Sequence, residues 1–158
     1  MDTKKLRQVA GGFVTGITIV SSGDADEEVR AMTANSFLSV SLAPPLVLFS
    51  VDTRTRLFET LEKGKKITIS ILSEEQEEIS NHFAGKNHLD HNLLFENIKN
   101  YPVIKNALGY YLTKVNQIIP AGDHYLVLCE VKDLYRNEQL NPLMYYSGGY
   151  KTYTKTLI

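Results

Sequence analysis

The chain of 158 residues carries 17 basic and 18 acidic side chains, a balance that argues against nucleic acid or an anionic membrane as a partner. Its single cysteine, Cys129, excludes an internal disulfide and a cysteine-rich metal site. No apolar run approaches the roughly 18 residues of a membrane span, so length and composition predict one soluble cytoplasmic domain over 1–158.

The predicted elements begin with a helix. Asp2 precedes an apolar stripe with helical spacing, which predicts a capped amphipathic helix that ends near Gly16. Runs rich in β-branched and apolar residues, separated by turn residues, predict six or seven strands. In chain order the expected strands cover 17–22, 29–37, 46–51, 67–72, 107–119, 124–135 and 142–147.

Helical segments are expected between these strands. A short apolar run before Gly64 suggests one brief helix, and the capping-box spacing of 73–76 predicts another over about 74–84. Residues 85–100 have few apolar anchors and predict an irregular excursion with one helical turn. Because strands and helices do not alternate regularly, the pattern predicts a mainly β protein, a β-barrel with peripheral helices. The chain has no glycine-rich dinucleotide fingerprint, so a Rossmann cofactor site is not expected.

The most unusual stretch is 30–56, where short polar side chains interrupt an apolar sequence around a double proline. Such side chains form hydrogen bonds without filling a pocket, which suits a small ligand. Arg54 and Arg56 follow at an expected helix start, where a cation is disfavoured unless an anion binds. We therefore predict that Arg54 binds a phosphate and that Arg56 is solvated. The polar side chains of the stretch are Thr33, Asn35, Ser36, Ser39 and Ser41.

The order and spacing of several motifs resemble the flavin reductase-like family over essentially the whole chain. The similarity is to the small reductase components of two-component flavin monooxygenases, such as the one acting with 4-hydroxyphenylacetate 3-monooxygenase. The motifs are Met32-Thr-Ala-Asn-Ser-Phe37, Ser39-Val-Ser41, Pro44-Pro-Leu-Val47, Arg54-Thr55, Phe83-Ala-Gly85, Gly122-Asp-His124, Pro142-Leu143, Tyr146 and Gly149-Tyr150. The resemblance implies a homodimeric FMN-binding split β-barrel of Greek-key type with peripheral helices. It further implies an NAD(P)H:flavin oxidoreductase that transfers a hydride from NADH or NADPH to FMN or FAD and supplies a partner monooxygenase.

The resemblance also implies roles for individual residues. The segment 32–36 matches the contacts to the flavin and its ribityl phosphate. Ser39 and Val40 match positions near the ring, and Ser50 and Val51 match backbone contacts. Arg54 and Thr55 match the phosphate-binding turn. Phe83, Ala84 and Gly85 resemble the edge of the nicotinamide pocket. His124 and Tyr150 match residues beside the nicotinamide dinucleotide, and His124 is the candidate for steering a proton. The implied flavin contacts are Met32, Thr33, Ala34, Asn35, Ser36, Ser39, Val40, Ser50, Val51, Arg54 and Thr55.

The sequence departs from the family pattern at two places. Leu57 stands where many members have a hydroxyl residue, and residues 86–92 differ from the more usual acidic and arginine-bearing loop. A 2′-phosphate would require an arginine after Phe83, and only Lys86 is present, which favours NADH over NADPH.

Several interpretations remain open from the residues alone. The hydroxyls of the 30–56 stretch could be solvent-facing strand or turn positions, and Thr53 and Thr55 could only cap a helix. His82, His88 and His91 are close enough in sequence to suggest a metal, but without a fourth ligand the loop interpretation is better and we assign no metal site. Two other functions also fit: an electron carrier with tightly bound flavin, and a non-catalytic module that binds flavin or haem.

Overall fold

A computed structural model describes residues 1–24 and 28–154, and most of its regular elements are strands. Two short 3-10 turns, at Phe58–Thr60 and His91–Leu93, accompany them. The elements in chain order are α1 (Thr3–Gly11), β1 (Thr15–Gly16), β2 (Thr18–Ser22), β3 (Arg30–Ala34), β4 (Leu38–Leu42), β5 (Pro45–Asp52), β6 (Lys66–Ile71), α2 (Glu77–Phe83), β7 (Phe95–Ile98), β8 (Tyr101–Ile104), β9 (Gly109–Ala121), β10 (His124–Arg136), β11 (Met144–Tyr146) and β12 (Gly149–Lys151).

Seven strands form one antiparallel sheet in the order β3-β2-β6-β9-β10-β5-β4. Three hairpins, β2–β3, β4–β5 and β9–β10, supply most of this sheet, and the last has Gly122 at φ +68° in its turn. Two smaller sheets, β1-β11-β12 and β7-β8, accompany it. The predicted mainly β architecture is confirmed.

The seven-stranded sheet closes on itself between its two edges. The connection 35–37 runs from β3 at one edge to β4 at the other, and Ser36 bonds to β5 on the way. The Ser50 N–H donates to Ser36 Oγ at 3.1 Å, and the Ser36 hydroxyl donates to the Ser50 carbonyl at 3.2 Å. Phe37 then stacks on Tyr111 at 5.4 Å between ring centroids. The side chain of Ser36 thus replaces a ladder pair where the barrel closes.

Strand alternation separates the inside of this barrel from its outside. Along β5, Val47, Phe49 and Val51 are buried at 3%, 0% and 1% exposure, while the residues between them are half-buried or exposed. The inward residues of β2, β6, β9 and β10 complete the same cluster. One face of β10 is apolar, because Tyr125, Val127, Cys129 and Val131 all belong to or pack on this core.

Peripheral elements cover the outside of the barrel. The Ser21 hydroxyl donates to the Pro102 carbonyl at 3.0 Å, and the Ile104 N–H donates to Ser70 Oγ at 3.2 Å, so the β7–β8 hairpin is fixed on the outer face of β2 and β6. Helix α2 lies against β2 and β3. No helix in the ranges 1–24 and 28–154 is long and apolar enough to cross a membrane.

Several predicted boundaries were wrong. Asp2 caps α1 by accepting from the N–H groups of Lys4 and Lys5 at 2.8 and 3.3 Å, as expected, but the helix ends at Gly11 because the chain must turn to pair β1 with β11. The expected strand over 29–37 ends at Ala34, and β4 was missed. The turn expected at 23–26 lies partly outside the described residues.

The middle of the chain also differs from expectation. The Gln76 side chain accepts from the Ser73 N–H at 3.0 Å and donates to the Lys105 carbonyl at 2.8 Å, so 73–76 forms a turn and α2 begins at Glu77. The excursion over 85–100 has its expected helical turn, but it also contains β7, which pairs with β8. That hairpin depends on contacts with distant strands, which local composition does not reveal.

Candidate functional site

A polar strip lies on the outer face of the barrel where the sheet closes. On β5, Ser50 and Asp52 alternate with core residues, and Asp52 faces His124 of β10 in register. On β3, Thr33 alternates with Met32 and Ala34, which pack in or against the core. Ser36 bridges these two sides through Ser50. We call this set the seam strip; it consists of Thr33, Ser36, Ser50, Asp52 and His124.

Some of the residues predicted to contact the flavin lie in the core of the barrel, and others are exposed on its surface. The side chains of Ala34 and Val51 are 8% and 1% exposed and belong to the core, so only their backbones can meet a ligand. Asn35 and Ser39 are exposed, and the described part of the chain offers their side chains no hydrogen-bond partner. Val40, beside Ser39, is 46% exposed on β4. The exposed members provide neutral donors and an apolar surface.

Arg54 lies in the turn that follows β5. Its guanidinium bonds to Asp52 through Nε and Nη2, the latter at 2.6 Å, and its backbone N–H donates to Asp52 Oδ1 at 2.9 Å. These bonds hold the pKa of Asp52 well below its usual range, and the side-chain bonds from Arg54 make the largest contribution. The Arg54 side chain is still 86% exposed. An anion at this turn would therefore share Arg54 with Asp52.

The turn is not the start of an α-helix, so that part of the prediction was wrong. Only the 3-10 turn Phe58–Thr60 follows, because Thr55 Oγ1 donates to the Asp52 carbonyl at 2.8 Å and accepts from the Phe58 N–H at 3.3 Å, which closes a tight loop. A helix macrodipole consequently contributes nothing here. Arg56 is 72% exposed and lies 3.6 Å from Glu28, which agrees with the solvated role expected for it.

His124 stands at the start of β10, opposite Asp52. Its Nδ1 lies 2.8 Å from Asp123 Oδ1, a contact that lowers the pKa of the Asp123 carboxyl. The imidazole is 40% exposed. Because Nδ1 is engaged by Asp123, Nε2 is the nitrogen directed to a ligand or a proton.

The second group of predicted residues lies at the end of α2. Phe83 packs against the rings of His91 and Phe95, at 5.4 and 5.7 Å between centroids, while Ala84 and Gly85 are exposed. Gly85 has φ +75° and open space where a Cβ would stand. Tyr150 reaches α2 from β12: its hydroxyl lies 2.8 Å from Ser80 Oγ and 3.1 Å from Asn81 Oδ1.

Thr33 joins the two groups. Its hydroxyl donates to the carbonyl of Ser80 at 2.6 Å, so the seam strip and the end of α2 adjoin. Ser80 is fully buried, and the sequence analysis missed it. Its only sequence signal is a small polar residue beside the apolar face formed by Ile79 and Phe83.

Of the three histidines at and after the end of α2, His82 and His91 form hydrogen bonds with the backbone. His82 Nδ1 accepts from the Leu89 N–H at 3.1 Å, and His91 Nε2 lies 2.9 Å from the Val29 carbonyl. Burial, followed by the nearby His91, lowers the pKa of His82. Within the described ranges, no group of three or more His, Cys, Asp or Glu side chains is placed to hold a metal ion. The hydrogen bonds of His82 and His91 thus connect the end of α2 to Leu89 and the 3-10 turn His91–Leu93 to Val29.

The donor set fits a phosphorylated heteroaromatic ligand. Asn35 in the connection after β3 and Ser39 on β4 are exposed, Arg54 is 86% exposed in the turn after β5, and Val40 adds exposed apolar surface on β4. Neutral donors suit the edge of a ring, and a guanidinium suits a phosphate. At Gly85, by the end of α2, nothing lies within 4 Å of the place where a Cβ would stand, so the backbone there is open to a ligand.

Several known proteins are similar to this chain over most of its length. A protein named NADH-dependent flavin reductase, from Rhodococcus sp, is 38% identical over 149 residues, covering 93% of this chain and 84% of that protein. The 4-hydroxyphenylacetate 3-monooxygenase reductase component of Thermus thermophilus is 34% identical over 145 residues, covering 92% of this chain and 93% of that protein. Streptomyces globisporus SgcE6, an NADH:FAD oxidoreductase solved in complex with NAD and FAD fragments, is 30% identical with a TM-score of 0.87, covering 97% of this chain and 93% of that chain.

A family profile gives the same assignment. Residues 10–154 match the family described as Flavin reductase like domain. This range contains β3, β5, α2 and β12 and all the candidate site residues named above. The resemblance inferred from the motifs is thus confirmed, and with it the split-barrel fold. The chain belongs to the flavin reductase-like family.

Proposed function

We propose that this protein is an NADH-dependent flavin reductase that delivers reduced flavin to a partner monooxygenase. The observation that supports the proposal is the 2.6 Å hydrogen bond from Thr33 to the Ser80 carbonyl, because it joins β3, which carries candidate flavin residues, to α2, which leads to the candidate nicotinamide residues. A bound flavin supplies the acceptor for a hydride from the reduced nicotinamide, and the protein must hold the two rings within about 3–3.5 Å.

The residues of the site would bind and orient these groups. Asn35 and Ser39 offer exposed donors to a flavin ring, and Arg54 offers its guanidinium to the phosphate of FMN or FAD. Phe83, with Ala84 and Gly85, would form one wall of the nicotinamide pocket and exclude water from it. His124 Nε2 can give or take a proton at the open side of the site.

Exposed apolar faces support assembly as a homodimer. No residue of α1 is buried, and Leu6, Val9 and Phe13 are 58%, 79% and 78% exposed. On the outer face of the barrel, Leu38 pairs with Leu48, and Leu48 pairs with Leu128, which forms an apolar row across three strands. An isolated nine-residue helix is unstable in water without a packing partner. A second copy of the chain, covering α1 and this row, would provide that partner.

The names of the relatives support the remaining parts of the proposal. Reductase components of monooxygenases supply a reduced flavin to a separate enzyme, so the flavin here would act as a substrate that is released. The dependence on NADH and the single buried thiol, Cys129, fit the cytoplasm as the compartment.

Steady-state oxidation of NADH and NADPH, with riboflavin, FMN and FAD in turn, tests the proposal. We expect NADH oxidation only when a flavin is added, and a smaller rate with NADPH. Absence of flavin-dependent oxidation with either nucleotide would contradict the proposed function. Dialysis that leaves a bound flavin in place would instead favour an electron carrier.

The phosphate role of Arg54 has its own matched test. Arg54→Ala should weaken FMN binding roughly tenfold, the usual scale for losing one charge-assisted contact, and leave riboflavin binding unchanged. Arg56→Ala, which removes a second exposed arginine from the same turn, is the control. Equal losses for FMN and riboflavin in Arg54→Ala would rule out a phosphate contact.

A further inference from the structure

We propose that Tyr150 and Ser80 act together as positioning residues that fix the end of α2, and thereby the nicotinamide pocket, relative to the flavin side. This inference rests on the proposed function for its catalytic consequence. It assigns Tyr150 an indirect role through α2 rather than contact with the nucleotide, and it assigns a role to Ser80, which the sequence motifs did not include.

The first step is the direction of the hydrogen bonds. A tyrosine hydroxyl has one proton to donate, and in Tyr150 that proton goes to Asn81 Oδ1 at 3.1 Å. The contact of 2.8 Å with Ser80 Oγ must then be donated by the serine. The Tyr150 oxygen is therefore engaged on both sides by α2, and a nucleotide would have to displace one of these partners to bond to it.

The second step is the position of Ser80 between three elements. Its side chain bonds to β12 through Tyr150, and its carbonyl accepts both from Thr33 Oγ1 of β3 at 2.6 Å and from the Ala84 N–H at 3.0 Å. Ser80 is 0% exposed, so it cannot touch a ligand. One buried residue thus connects the flavin-side strand, the C-terminal strand and the last turn of α2.

The third step follows the chain from Ser80 to the pocket. The Gly85 N–H donates to the His82 carbonyl at 3.0 Å, and the Lys86 N–H donates to the Asn81 carbonyl at 2.9 Å. Lys86 Nζ lies 5.7 Å from the centre of the Tyr150 ring. The backbone over 83–86 is consequently held by the same turn of helix that Tyr150 binds, and a shift of that turn moves the pocket wall.

The test compares three variants with the wild-type protein. Tyr150→Phe and Ser80→Ala each remove one hydroxyl of the contact. Tyr145→Phe is the matched control, because Tyr145 packs edge-to-face on Tyr150 at 5.5 Å and no described residue bonds to its hydroxyl. Hydrogen–deuterium exchange of the ligand-free proteins should show faster exchange over 83–87 in Tyr150→Phe and Ser80→Ala, and unchanged exchange in Tyr145→Phe.

The variants that show faster exchange should also show a higher KM for NADH. In both hydroxyl variants we expect the KM for NADH to rise roughly five- to tenfold, the scale of one lost hydrogen bond, with kcat reduced less and flavin affinity within about twofold of wild type. The double variant should add little to either single variant, since both remove the same contact. A general loss of structure would instead change flavin affinity as well.

Two results would overturn the inference. If Tyr150→Phe raises KM while Ser80→Ala changes neither KM nor exchange, Tyr150 acts by touching the nucleotide. If neither variant changes exchange over 83–87, the contact does not position the pocket. Should the wild-type protein fail to oxidise NADH with any flavin, the proposed function fails, and the exchange comparison still decides whether Ser80 and Tyr150 hold the end of α2.

Discussion

Ser36 ties the connection between β3 and β4 to β5, because its side-chain hydroxyl accepts from the Ser50 N–H at 3.1 Å and donates to the Ser50 carbonyl at 3.2 Å. Ser36→Ala should leave both backbone groups of Ser50 without these partners and destabilise the fold by about 1–3 kcal/mol. Urea unfolding followed by circular dichroism measures this change.

Ser39→Ala is the control for the barrel closure. Ser39 is exposed on β4, and no described residue bonds to its hydroxyl, so its removal should change the free energy of unfolding by less than about 0.5 kcal/mol. Equal stabilities for the two variants would show that the Ser36 contact with β5 does not stabilise the fold.

Gly109 is required at the start of β9 because a side chain there would meet the main chain of β10. An added Cβ would lie 2.7 Å from the Tyr135 carbonyl oxygen. We expect Gly109→Ala to destabilise the protein by about 1–3 kcal/mol, as overpacking does. Thermal unfolding measures this change. Gly16→Ala, where the added Cβ meets nothing within 4 Å, should reduce the free energy of unfolding much less in the same experiment. If Gly109→Ala leaves the stability unchanged, the main chain of β10 can shift to make room for the added Cβ.

Acid should weaken the loop after α2 through His82. The folded state lowers the pKa of His82, mainly by burial, so the unfolded state binds a proton more readily. The stability linked to His82 is therefore complete above its ordinary pKa, about 6.5, and is lost as the pH falls through the lowered pKa of the folded state. Melting temperatures between pH 8 and pH 5 measure the effect.

His82→Gln is the variant that separates this effect from general acid denaturation. Glutamine can still accept from the Leu89 N–H but does not titrate in this range. The melting temperature of the variant should fall less between pH 8 and pH 5 than that of the wild type. Parallel pH profiles for the two proteins would exclude His82 as the source.

Cys129 should be unreactive in the folded protein. Burial raises the pKa of its thiol to about 11, despite a hydrogen bond with Thr113 that opposes the shift. Since the thiolate is the reactive form, alkylation by iodoacetamide at pH 8 should be roughly a hundredfold slower in native protein than in urea. Rapid labelling of the native protein would indicate that β10 opens locally.

Local patterns predicted the parts of the fold that local interactions determine. The Asp2 cap, the β9–β10 hairpin and the apolar face of β10 follow from side-chain spacing and turn residues alone. β4 was missed because Ser39 and Ser41 were interpreted as turn residues, whereas they belong to an edge strand with a register shift between them. Its apolar side chains, Leu38, Val40 and Leu42, are all exposed, so they gave no core pattern.

The site was predictable only in part. Resemblance to a family located the 32–36 segment and the end of α2, but it could not reveal that Ser36 is bonded to Ser50 or that Asp52 engages Arg54. These contacts arise from closure of the barrel and from the turn after β5. The role of Ser80 could not be predicted from local sequence either, because its partners Thr33 and Tyr150 are 47 and 70 residues away in the chain.

The alternation along β5 has an evolutionary consequence. Val47, Phe49 and Val51 are buried, while Ser50 and Asp52, between and beyond them, are half-buried on the outer face. A mutation at either outward position therefore opens no cavity in the interior. One strand thus allows its outer surface to diversify among descendants while the scaffold is inherited intact.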